Sequence, residues 1–188
     1  ISGDLPKILL VEPINWCHGV LGIFGYHFFY FSGIRHGSAA EISLIAYIWP
    51  LLIIIFSSIG QHNKLKIRYL IGGLMGFCSM LIIFFSREEI GFEGRSLGYA
   101  CAICCALIWS VYSVTNKKFE SPSDTVITGV CIISCFLSVI CHFLFEETIW
   151  PSSRKSWVAI CCLGLGPVGL AFYFWDYATK GGNLTTLG

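Results

Sequence analysis

The twelve residues IAYIWPLLIIIF, Ile45 to Phe56, decide how this chain is read. The run is apolar enough for a membrane interior, yet Tyr47, Trp49 and Pro50 stand together near its middle. A helix that only filled lipid would need nothing but Leu and Ile. Proline carries no backbone N–H and disrupts a helix interior. Pro50 therefore cannot donate to Ala46, and a kink there bares a carbonyl near mid-depth. Tyr47 and Trp49 each present a flat apolar face with one polar handle. The group suits a flat or amphipathic ligand; the alternative is a packing kink whose gap the rings fill.

Outward from this stretch the whole chain is apolar. Of 188 residues, 55% are hydrophobic and only 12% are charged, against about 25% charged in soluble domains. Spanning helices need about 20 mostly apolar residues. Six segments qualify: span A (Ile14–Phe31), span B (Ala40–Ile59), span C (Leu65–Phe85), span D (Leu97–Val114), span E (Val126–Phe145) and span F (Trp157–Ala178). A seventh begins near Asn183. Lipid offers the backbone no hydrogen-bond partners, so the expected fold class is an all-α membrane protein. The opening ISGDLPK has neither a start methionine nor a signal peptide, and the closing NLTTLG reads as a helix cut short. The chain is expected to be a segment of a longer protein.

The links carry helix-start signals. Ser38 and Glu41 have capping-box spacing before span B, and Ser121-Pro122-Ser123-Asp124 opens span E. Lysines and arginines fall slightly more often on the side of the N-terminus, which the positive-inside rule makes cytoplasmic. There is also an internal echo. The stretch "GYHFFYFSGIRHGSAAEISL" in span A resembles "GLAFYFWDYATKGGNLTTLG" in span F, about 144–145 positions on. Spans A and F cross in opposite senses, and such pairs mark inverted repeats.

Candidate site residues follow from spacing. Gly19, Gly22, Tyr26, Tyr30 and Gly33 share one face of span A, with His27 beside them. An ionisable group within a span is a functional candidate by default, and a single structural hydrogen bond is the bland alternative for His27. Cys105, Trp109 and Tyr112 share a face of span D. Span F has a Gly-Leu-Gly-Pro-Val-Gly stretch expected to be loosely wound, then six polar or aromatic residues from Phe172 to Tyr177. Asp176 and Glu41 are the candidates for ion coupling, although Asp176 also fits an acid snorkelling to the interface. In span C, Gly72 and Gly76 have the spacing of a tight helix contact.

Several function classes are disfavoured. The ten cysteines fall almost entirely within apolar runs and read as small buried hydrophobes. Cys101-x-x-Cys104 lacks the second ligand pair of a metal centre. There are no paired intramembrane acids, no His-Glu-x-x-His and no Gly-x-Ser-x-Gly, so no catalytic residues are assigned. No metal, no cofactor and no nucleic acid is expected; the partners expected are a small molecule and the lipid bilayer.

Taken together, Gly25-Tyr26-His27-x-x-Tyr30-Phe31, the block from Ala40 to Leu52 and Phe174-Trp175-Asp176-Tyr177-Ala178 resemble the EamA branch of the drug/metabolite transporter superfamily, and within it the aromatic amino acid exporters. The resemblance implies ten helices in two inverted five-helix repeats, in a cell inner (plasma) membrane. This chain would hold the third helix to the start of the ninth: residues 1–90 the last three helices of the first repeat, residues 91–188 the first three and the start of the fourth of the second. It implies a substrate cavity lined by Tyr26, His27, Tyr30, Tyr47, Trp49, Pro50 and Trp109, and export by alternating access. The chain departs from the family in lacking a proline near Ser38 and in its many cysteines. Rival readings are export of another small metabolite on the same fold, a membrane thiol-redox protein built on Cys101, Cys104 and Cys105, and a non-transporting scaffold.

Overall fold

The computed structural model describes residues 11–60, 67–85, 96–119 and 125–187. Apart from short links, the longest at 146–153, the described residues are helical, and each of the six expected spans is a helix or a pair of helices in line. Span A is α1 (Pro13–Val20), a π turn (Leu21–Gly25) and α2 (Tyr26–Arg35). Span B is α3 (Ala39–Ala46) and α4 (Trp49–Gly60). Span C is α5 (Ile67–Phe85), and span D is α6 (Ser96–Thr115), prolonged by a 3-10 turn (Asn116–Phe119). Span E is α7 (Thr125–Phe145). Span F is α8 (Arg154–Leu165), a second π turn (Gly166–Leu170) and α9 (Ala171–Gly181), and the seventh begins as α10 (Leu184–Leu187). Among the described residues, four stretches are long and apolar enough to cross a membrane: Ala39–Ile59, Ser96–Thr115, Val126–Phe145 and Arg154–Gly181. The shorter Ile67–Ser79 is also apolar.

The break in span B has the cause read from the sequence. Pro50 removes a donor, and the chain turns at Tyr47 and Ile48 instead of continuing as helix. The Ile48 amide reaches back only three residues, to Ile45 O at 3.1 Å, while the Tyr47 amide keeps the ordinary bond to Ser43 O at 2.9 Å. The loosely wound stretch of span F is the π turn. Pro167 cannot donate within it, and a Cβ on Gly169 would press on the Gly164 carbonyl oxygen. Span A has its π turn without a proline. The two π turns start at Leu21 and Gly166, in register with the sequence echo.

One expectation fails. Ser38 holds the N-cap position of α3 in extended backbone, but its hydroxyl caps no amide. The acid that would complete the box, Glu41, is buried and accepts the Tyr99 hydroxyl of span D at 3.0 Å. A tertiary partner has replaced the local one. The cap that does form is Ser153, whose Oγ accepts the Ser156 amide at 3.1 Å. The proposed start of span E at Ser121–Asp124 lies outside the described residues.

Ile23, Trp109, Tyr112, Val126, Ile127, Val130 and Phe172 make the core, joining spans A, D, E and F. Glycines let these spans approach. A Cβ on Gly19 would lie 2.7 Å from Val130, one on Gly22 would overlap the Tyr112 ring, and one on Gly129 would lie 2.6 Å from Trp16. Large apolar side chains face outward, Phe143 being 76% exposed, as expected of a surface solvated by hydrocarbon. In span C, Gly73 packs on Ile54 and Leu51, whereas Gly72 and Gly76 meet nothing within 4 Å among the described residues.

Candidate functional site

A cavity of about 490 Å³ lies between spans A, B, D and F. Its walls include Tyr26, His27, Tyr30 and Phe31 of α2, Ala46, Tyr47 and Trp49 at the break of span B, and Trp109 of α6. Span F adds Pro167, Val168, Phe172 and Trp175. Six of the seven residues expected at a site thus converge. Pro50 is not among the lining residues; it acts on the cavity by ending α3 and turning Tyr47 and Trp49 into it.

The rings are closely set. Tyr26 stacks on Tyr30 at 6.0 Å between centroids and 8° between planes, and lies 5.2 Å from Trp109. Trp175 stands edge-on to Trp49 at 5.4 Å and 90°, and lies 5.6 Å from Trp109. Phe172 meets Trp109 at 5.7 Å and His27 at 5.3 Å. Edge-to-face and offset pairs at such distances are the favoured aromatic geometries. The polar handles are partly committed. The Ser43 hydroxyl donates to Ala39 O at 2.6 Å, so it accepts from the Tyr30 hydroxyl at 2.8 Å. Tyr30 therefore ties span A to span B. His27 Nδ1 donates to Ile23 O at 2.7 Å, because a carbonyl can only accept. That tautomer presents Nε2 as an acceptor. Among the described residues, no Asp, Glu, Lys or Arg lines the cavity.

Where span A begins, the four packed spans close. Asn116 is buried and donates to Asp176 Oδ1 at 2.9 Å and to Thr179 Oγ1 at 2.8 Å. Lys180 pairs with the other carboxylate oxygen of Asp176 at 2.8 Å. His18 stacks on Phe119 at 4.1 Å and donates Nε2–H to Thr115 Oγ1 at 2.8 Å. The void left among these groups is about 20 Å³. Asp176, 8% exposed, thus ties span D to span F through Asn116. Spans A and E touch at this end and part at the other. There a groove of about 520 Å³, flanked by Phe24, Phe28 and Phe145, shares His27 and Phe31 with the central cavity. Glu41 lies at that far end, away from the cavity.

Phe172 and Trp175 were not singled out by sequence. Their signal was the spacing Phe172, Trp175, Asp176, Thr179, all on the inward face, while Tyr173, Phe174 and Tyr177 are exposed. Cys101, Cys104 and Cys105 are free thiols, and no cluster of three metal ligands occurs among the described residues.

An aromatic cavity between broken membrane helices is the architecture of a small-molecule transporter. Residues 8–85 and 96–188 match the EamA-like transporter family, and the chain belongs to that family. It is a multi-pass membrane protein of a transporter family and not an enzyme. It is 43% identical over 175 residues to the aromatic amino acid exporter YddG of Ancylobacter novellus, a match covering 92% of this chain and 61% of that protein. It is 25% identical over 181 residues to the uncharacterized transporter YyaM of Bacillus subtilis, covering 90% of this chain and 58% of the relative. The aromatic amino acid exporter YddG of Escherichia coli is 24% identical over 159 residues, covering 81% and 54%. A solved structure described only as the crystal structure of a protein superposes with a TM-score of 0.87 at 40% identity, covering 99% of this chain and 66% of the other. The chain spans about three fifths of the length of the curated relatives it matches.

Proposed function

We propose that this chain forms the central part of an exporter of aromatic amino acids, working by alternating access in the inner (plasma) membrane. The observation that carries the reading is the cavity itself. Its walls are mostly rings and, among the described residues, its lining has no fixed charge, so it offers stacking surface to an aromatic side chain. The acceptor on His27 and the hydroxyl of Tyr47 suit the polar end of a zwitterion. The 43% identity to an aromatic amino acid exporter supports the same substrate class.

The full protein, in this reading, has ten helices in two inverted repeats, divided near residue 90. The paired π turns of spans A and F support the repeat, because they fall at corresponding positions of oppositely directed helices. The hydrogen-bonded cluster where span A begins, on the side read as cytoplasmic, supports a state closed on that side. The latch of Asn116, Asp176 and Thr179 must then open when the cavity turns inward.

The test is efflux of labelled Phe and Trp from cells making the full-length protein. Trp49→Ala removes a wall shared with Trp175, and is expected to lower efflux about tenfold, the loss for about 1.4 kcal/mol of aromatic contact. Unchanged efflux in that variant, or equal transport of threonine, contradicts the assignment. Replacing Cys101 and Cys104 by Ser is expected to leave efflux within about twofold, since both are half-buried thiols outside the cavity lining that act as small apolar filler. Abolished efflux would instead favour thiol chemistry.

A further inference from the structure

Span D carries two fully buried hydroxyls one turn apart, Ser110 and Ser113. Ser110 Oγ lies 2.6 Å from Ala106 O and 3.1 Å from Trp49 O, at the break of span B. Ser113 Oγ lies 2.7 Å from Trp109 O and 3.0 Å from Trp175 Nε1. An indole N–H only donates and a carbonyl only accepts. Ser113 therefore gives its proton to Trp109 O and receives the Trp175 proton, a relay with one possible direction. Ser113 does not line the cavity; Trp175 does. The indole borders open space there, and its ring contacts with Trp49 and Trp109 leave its rotation about the side-chain bonds to be fixed by a directional bond.

We propose that Ser113 is a positioning residue of the substrate cavity, holding the Trp175 indole so that Trp49, Trp109 and Trp175 form one continuous wall of fixed shape against which an indole-sized ring packs. The proposal rests on the reading that the cavity takes aromatic amino acids. A wall free to rotate loses most contact with the largest flat ring, so releasing Trp175 penalises tryptophan more than phenylalanine. Specificity is such a difference of affinities.

The experiment uses the full-length protein in proteoliposomes, with KM and maximal rate measured for Trp and Phe. Ser113→Ala is expected to raise KM for Trp about five- to tenfold, the range for one hydrogen bond. KM for Phe should rise less, and maximal rates should change less than about twofold. Ser113→Thr keeps the hydroxyl and should restore most of the preference. Trp175→Phe removes the N–H, so adding Ser113→Ala to it should change nothing more. A wild-type KM in Ser113→Ala, or an effect that persists undiminished in the Trp175→Phe background, overturns the proposal. Wild-type protein that carries no aromatic amino acid would defeat the transport reading separately. In that case the indole proton resonance of Trp175, assigned by its loss in Trp175→Phe, still decides: it must shift and exchange faster in Ser113→Ala, and an unmoved resonance refutes the positioning role.

Discussion

Gly22→Val should leave almost no folded protein. Gly22 lies in the π turn of span A, and any Cβ there overlaps the Tyr112 ring. Tyr112 has nowhere to go. It is 4% exposed, with His18 at 5.0 Å and Trp109 at 5.4 Å from its ring centre. Overpacking a rigid core costs about 1–3 kcal/mol and at times more. Membrane helices associate largely through close packing at small residues, so lost contact is not replaced by a hydrophobic drive. The two branches of valine would force spans A and D apart at the centre of the core. Gly25→Ala is the internal control, three residues on in the same turn. Its added Cβ would meet Ile108 at an ordinary 3.8 Å. Monodisperse yield and thermal midpoint of the full-length protein in detergent should collapse for Gly22→Val and stay near wild type for Gly25→Ala. Equal midpoints for both would mean that the A–D contact is not tight.

The parts of this architecture readable from sequence were those set by short-range chemistry. Pro50 lacks a donor, so the break at Tyr47 and Ile48 could be placed within a few residues. The spacing of Cys105, Trp109 and Tyr112 gave one buried face of span D because that helix is regular throughout. Span A is different. Reading Gly19 to Gly33 as one continuous face assumes 3.6 residues per turn, and the π turn shifts that phase. Gly19 accordingly packs on span E, while Gly22 and Gly33 both pack on span D, through Tyr112 and through Gly98 and Cys101, with Gly33 also meeting Ile42 of span B. The capping box failed for a related reason: Glu41 finds Tyr99, 58 positions away, which no local pattern shows. In span F the six residues from Phe172 to Tyr177 look alike by composition. Which of them face inward was set by neighbours on span D, through Ser113 and Asn116. Asp176, readable as a snorkelling or a coupling acid, has partners on span D and its own helix that the local sequence does not show.

Asn116→Asp is expected to abolish efflux by forcing the latch open. The change is nearly isosteric. It replaces an amide that donates to Asp176 and Thr179 with a carboxyl group, so two carboxyls meet where one 2.9 Å bond stood, and the site must either hold both charges or take up a proton at neutral pH. Lys180, on one side of Asp176, balances only one of the two charges. An uncompensated buried charge costs about 3–5 kcal/mol, enough to reverse a two-state equilibrium whose states differ by a few kcal/mol. Spans D and F should separate at this end, and a state held open there cannot complete the cycle. The reporter is a cysteine at Asn15, which borders the closed void, placed in a cysteine-free background and probed with a thiol reagent. Its labelling should rise several-fold in Asn116→Asp as efflux falls to background. The decisive variant is the exchange Asn116→Asp with Asp176→Asn. It restores one carboxylate facing one amide, with Lys180 still beside them, and should recover both slow labelling and a substantial part of efflux. Repulsion at the latch requires that recovery; a change that only unfolds the bundle would be made worse by a second substitution. Wild-type efflux and labelling in the single variant would show that the Asn116–Asp176 contact does not govern the closed end.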